Sequence, residues 1–147
     1  MSTTFRCRVV TPTDQLLDEP AVYASIPAWD GLFGVMPGRA PIVAELGMGE
    51  LRVDFPDSTS AGGTRSFFID RGFVRMGKDE LTVVAEQAIP AERLTVTDAE
   101  AELKEAEART VADGAEDKGA EADRITDERR RARAKLALAR SIQSSGI

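Results

Sequence analysis

The chain has 147 residues, a net charge of −6, one cysteine and no histidine. That length suits one domain or a domain with an appendage, and a single cysteine rules out an internal disulfide and fits a reducing compartment. Without histidine the chain lacks the side chain best poised for proton transfer near neutral pH, so Ser-His-Asp triads and the usual His-bearing zinc sites are excluded.

In residues 4–10, Phe5, Cys7 and Val9 alternate with Arg6 and Arg8, the period of a half-buried strand, so Cys7 reads as a small core residue. Thr11-Pro12-Thr13-Asp14 is turn chemistry; residues 15–19 form a short strand, and residues 21–27 alternate again with Val22, Ala24 and Ile26 on one face. Residues 30–41, Asp-Gly-Leu-Phe-Gly-Val-Met-Pro-Gly-Arg-Ala-Pro, set Leu32, Phe33, Val35 and Met36 among three glycines and two prolines. Such a segment cannot be a helix or a long central strand. It reads as short β pieces joined by shaped turns: either a plug for the end of a sandwich or a docking loop.

Residues 42–46 and 51–55 then read as short strands, residues 56–64 as a polar turn, and residues 66–70, 72–76 and 81–86 as further strands, with Gly77-Lys78-Asp79 as a hairpin turn. Eight to ten short strands at this spacing predict a β-sandwich or flattened barrel. Beyond Pro90 the pattern changes. Leu94-Thr95-Val96 reads as extended, Thr97 or Asp98 as the N-cap, with Thr97 and Glu100 fitting a capping box, and residues 99–112 as a helix of strong helix formers. Asp113-Gly114 and Lys118-Gly119 bracket a loop, and a second helix runs over residues 120–143. Its stripe of Ala122, Ile125, Ala132, Leu136 and Ala139 is thin and is interrupted by Arg129. The expected fold is therefore α+β: an all-β sandwich over residues 1–93, then a marginal antiparallel two-helix hairpin over residues 94–147.

Charge is distributed unevenly. Residues 94–121 carry three basic and nine acidic side chains, whereas residues 122–147 carry seven and three. The run Arg129-Arg130-Arg131 with Arg133 reads either as a solvated face balanced by the acidic first helix or as a dedicated contact. Nucleic acid suits it poorly, because stacking aromatics are missing and the rest of the chain is acidic. There is no phosphate-loop motif, no apolar run approaches the ~20 residues that cross a bilayer, and the N-terminus lacks a signal peptide's hydrophobic region. Membrane association is expected only through a protein partner, and neither catalysis, a cofactor nor a metal is expected.

Gly31, Gly34, Pro37, Gly38, Arg39, Ala40 and Pro41 resemble the Gly-x-x-Gly-x-x-Pro-Gly-His-Ala-Pro signature of the epsilon subunit of F-type ATP synthases, with Arg39 in place of histidine. The flanks agree: Val9-Val10-Thr11-Pro12, Gly49-Glu50-Leu51-Arg52-Val53, Gly72-Phe73-Val74 and residues 81–86 match the family's strands. The resemblance covers residues 4–93 and implies a non-catalytic rotor subunit of a proton-translocating enzyme, peripheral at the cytoplasmic face of a bacterial inner membrane. Its implied partners are the gamma subunit and the ring of c subunits, met through Asp30, Gly31, Leu32, Phe33, Met36 and Arg39. Leu32 stands where the family commonly has an acidic residue. The helices are implied to restrain ATP hydrolysis through transient contact with the catalytic alpha and beta subunits, with Arg129, Arg130, Arg131 and Arg133 meeting an acidic segment of beta.

Some bacterial members bind ATP through an Ile/Leu-Asp-x-x-Arg-Ala motif; here Leu94-Thr95-Val96-Thr97-Asp98-Ala99 puts Thr95 for the aspartate and Asp98 for the arginine, so no direct ATP binding is expected. Two readings from other classes stay open: a free-standing protein-binding sandwich, and a nucleic-acid-binding adaptor using the arginine helix.

Overall fold

A computed structural model describes residues 3–56 and 63–145. The chain divides into two compact units, Met1–Ala91 and Glu92–Ile147.

Among the described residues the first unit holds seven strands: β1 (Phe5–Val10), β2 (Gln15–Ala21), β3 (Tyr23–Ala28), β4 (Gly31–Val35), β5 (Ile42–Asp54), β6 (Thr64–Gly77) and β7 (Glu80–Pro90). They are joined in the order β2-β1-β7-β6-β5-β3-β4. Neighbours are antiparallel except β1 and β7, which are parallel. Seven strands replace the eight to ten short ones expected, because several predicted strands are halves of one. Residues 42–46 and 51–54 both belong to β5, and residues 66–70 and 72–76 both belong to β6.

The long strands serve both layers of the sandwich. The first half of β5 pairs with the second half of β6, and the second half of β5 with β3 and the first half of β6. Between the halves they bend where side chains are missing. A Cβ at Gly47 would lie 2.8 Å from the Ala28 carbonyl oxygen, and one at Gly72 (φ +125°) only 2.0 Å from that of Val84. Breakers that end a strand in the sequence thus turn a corner in the fold.

Period-two alternation sets the core. Phe5, Cys7 and Val9 are fully buried and pack with Ile26, Leu51, Val53, Phe67, Val74, Met76, Leu81 and Val83. Each large apolar side chain so placed contributes ~1.5–3 kcal/mol. Lys78 and Asp79 both take positive φ (51° and 57°) between the paired residues Gly77 and Glu80, the two-residue primed turn that matches strand twist. Most of the predicted polar turn after Pro56 lies outside the described residues.

A 3-10 turn at Ala91–Arg93 spans the boundary, and the second unit holds α1 (Val96–Ala108) and α2 (Lys118–Ser145). The cap falls two residues earlier than the predicted Thr97: the Thr95 side chain accepts from the Asp98 amide at 3.2 Å. This start places the Asp98 carboxylate in the first turn, at the positive end of the helix. The helices run antiparallel, with Glu102 facing Lys135 (3.1 Å) and Glu100 facing Arg140 (3.5 Å). Their apolar seam is thin, as expected: Ala99 and Ala106 on α1, and Ile125, Ala132, Leu136 and Ala139 on α2 are buried; Leu138 is buried too, off that stripe.

Candidate functional site

The glycine- and proline-rich segment forms β4 and the loop after it. Trp29 and Asp30 make the β3–β4 turn, closed by the pairing of Ala28 with Gly31 (φ +132°), a backbone angle favouring glycine. Alternation then points Phe33 and Val35 inward and Leu32, Gly34 and Met36 outward. Gly34 lies beneath Tyr23, whose hydroxyl oxygen would sit 2.6 Å from a Cβ there.

Both ends of the segment are anchored. The Trp29 amide donates to the Glu45 carbonyl at 3.1 Å. At the far end, the Gly38 amide donates to Asp79 Oδ1 at 2.8 Å, tying the loop to the β6–β7 turn. The Arg39 guanidinium carbon lies 5.6 Å from the centre of the half-buried Phe33 ring, within cation–π range. On this braced backbone Trp29 (70% exposed), Leu32 (71%) and Met36 (62%) stand in solvent. Asp30, Gly31 and Arg39 are exposed beside them, so Phe33 supports the loop where the other five named residues face outward.

A second apolar surface was not singled out from the sequence. Val43 (70% exposed), Phe73 (62%) and Val84 lie on the outer face of the sandwich. Phe73 pairs with Val84, and Val84 with Val10; Val43 lies one row away, opposite Arg75. The signal was available: each occupies the outward phase of a strand whose alternate residues are buried or half-buried, where a polar side chain is the norm.

The four arginines of α2 do not share one environment. Arg130 and Arg133 are exposed, and Arg131 is half-buried and lines a charged cleft with Glu102, Glu105, Arg109 and Glu128. Arg129 reaches across to α1: its Nε donates to the Ala106 carbonyl at 3.1 Å, and its Nη2 to those of Glu107 at 3.3 Å and Arg109 at 2.9 Å. The interruption in the apolar stripe is therefore a side-chain cap on the neighbouring helix. Arg109 bonds both Glu105 and Glu128, and these carboxylates raise its pKa above the ordinary arginine value.

Among the described residues no cluster of His, Cys, Asp and Glu could hold a metal ion, and no helix is long and apolar enough to cross a membrane.

Residues 4–91 match the family model of the ATP synthase Delta/Epsilon chain, beta-sandwich domain. The chain belongs to the ATP synthase epsilon-chain family. It is 38% identical over 101 residues to the ATP synthase epsilon chain of Rhodopirellula baltica, covering 69% of this chain and 75% of that one. It is 33% identical over 125 residues to the ATP synthase epsilon chain of Myxococcus xanthus, covering 85% and 88%. The fold is shared with a chain in the mitochondrial ATP synthase structure from Euglena gracilis that contains OSCP, F1 and the c-ring, at a TM-score of 0.68 and 18% identity, over 100% of this chain and 84% of that one. The span matching the epsilon-chain family model contains the braced loop and the outer apolar row, and the helical hairpin lies beyond it.

Proposed function

We propose that this epsilon-family chain is a non-catalytic central-stalk subunit that links rotation of the membrane ring to the catalytic head, peripheral to the membrane and held there by its partners. Two regions have separate tasks: the sandwich region, residues 1–93, grips the rotor, and the helical region, residues 94–147, restrains ATP hydrolysis. The braced loop meets the ring of c subunits through Leu32, Met36 and Trp29, with Asp30 and Arg39 at the rim. The outer row of Val43, Phe73 and Val84 meets the gamma subunit. Arg130 and Arg133 are the arginines placed to meet an acidic segment of the beta subunit. One cytoplasmic face, that of a bacterial inner membrane, fits the bacterial relatives.

The observation that carries this reading is a set of large apolar side chains held in solvent on a backbone anchored at both ends. Exposed apolar area of that kind is unfavourable in isolation and favourable once a partner covers it. Interface anchors in such pockets typically cost more than 2 kcal/mol when lost. The test is a double substitution, Leu32→Asp with Met36→Asp. Both positions are exposed, so the sandwich should fold with unchanged thermal stability. The chain is expected to lose retention on a detergent-solubilised c-ring by at least tenfold, at ~1.4 kcal/mol per decade. Undiminished retention would remove the loop from the interface.

A further inference from the structure

The first helix stops where nothing in its own sequence stops it. Its last residue is Ala108, and Arg109 is already extended (φ −74°, ψ 137°). Yet Arg109-Thr110-Val111-Ala112 holds neither glycine nor proline, and the local breakers, Asp113 and Gly114, come later. Thr110 and Val111 are only modestly poorer helix formers than their neighbours. A continued helix would draw on four successive acceptors: the Ala106 carbonyl would take the Thr110 amide, that of Glu107 the Val111 amide, that of Ala108 the Ala112 amide and that of Arg109 the Asp113 amide. Three of those four oxygens, all but that of Ala108, accept from the Arg129 guanidinium, and the Ala106 oxygen also takes the Arg109 amide at 3.3 Å. One side chain on α2 thus engages most of the acceptors that the next turn of α1 would use. Arg109 and Glu128 add an ion pair across the same point, and Lys135 with Glu102 another further along.

We propose that Arg129 is a competitive stop for α1, so that closure of the hairpin and the length of its first helix form one switch. With the guanidinium docked, α1 ends at Ala108 and the helices are clasped. With it withdrawn, α1 runs on to Ala112 and the hairpin loosens, since the remaining seam has few large apolar residues. A guanidinium that satisfies three carbonyls is also withheld from any carboxylate outside the hairpin. Arg129 would then reach an acidic partner only from the open form. That consequence rests on the beta-subunit contact proposed above, whereas the switch itself does not.

The experiment uses the full chain without partners. Arg129→Met keeps an apolar stem and removes the guanidinium; Arg129→Lys keeps the charge but cannot bridge three carbonyls. Backbone chemical shifts report the helix end, and a spin-label pair at Lys104→Cys and Ala137→Cys, both exposed positions, reports closure. In Arg129→Met, residues 109–112 are expected to shift to helical values. Protection of the Thr110 and Val111 amides should rise about tenfold, and the label distance should broaden. Arg129→Lys should move in the same direction by a smaller amount. Residues 109–112 that stay extended, with an unchanged label distance, would overturn the switch. Should Arg129→Met melt the hairpin outright, Arg129→Lys decides by the same two readouts.

Discussion

Cys7 lies at the centre of β1 between Phe5 and Val9 and is fully buried. Desolvation, with a smaller contribution from Asp18, pushes its thiol up to about 12. A thiol held so far above the ordinary range is a poor nucleophile, so the native chain should resist alkylation at pH 8 and react only when the sandwich opens. The linkage has a definite sign. The folded pKa is raised, so the stabilisation is complete below the unfolded value of roughly 8.5 and is lost as pH climbs through the folded one. Alkaline unfolding followed through the β-sheet signal should therefore show up to roughly 4 kcal/mol of extra decline between about pH 9 and 12, absent in Cys7→Ala. Equal slopes for the two proteins would show that the thiol is not desolvated. A second prediction belongs to Thr95 and Asp98. Both are engaged in the α1 cap, and the Asp98 carboxylate lies in the first turn of the helix. Calorimetric titration of the isolated chain with millimolar Mg-ATP is expected to show no saturable binding; binding lost on Asp98→Ala would contradict this.

At the level of elements, the sandwich and the hairpin are stabilised by different physics, and they should respond differently to single changes. In the sandwich the sensitive points are the corners. Gly72→Ala combines a positive φ with a Cβ driven against the Val84 carbonyl, and is expected to cost at least 3 kcal/mol of sandwich stability. In the hairpin, Leu136→Ala should cost about 2–3 kcal/mol and melt the helices alone. Separate helical and β-sheet melting curves of the two variants check both; a hairpin substitution that lowers the β transition equally would show the units to be coupled. These elements also show what a sequence can disclose. Alternation at Phe5, Cys7 and Val9, or at Leu51 and Val53, reports the buried face directly, because the period of two is a property of the strand itself. Continuity through a corner is not legible, since Gly47 and Gly72 give the same local signal whether a strand ends or bends. Thr95 and Thr97 are equally good caps by residue type, and the structure uses Thr95, whose side chain accepts from the Asp98 amide. Arg129 reads as a flaw in a stripe until the carbonyls opposite it are known. Of the candidate site, Leu32 and Met36 were legible from the signature, while Val43, Phe73 and Val84 required knowing which phase faces out.

For the whole molecule, the proposed function joins two unlike parts: a sandwich that carries exposed apolar side chains and a helical unit with a thin apolar seam. The division after Ala91 lets the two tasks proposed above, rotor binding and restraint of hydrolysis, be altered separately. A free-standing adaptor with the same fold would share the sandwich but would need no ATPase. Affinity purification of the tagged full chain from detergent-solubilised membranes of its own cells separates the two. The chain is expected to bring with it an ATPase containing gamma and the c-ring, and that association should survive loss of the arginines of α2 and weaken with Leu32→Asp and Met36→Asp. A chain that purifies alone, while an intact ATPase is recovered without it, would contradict the account.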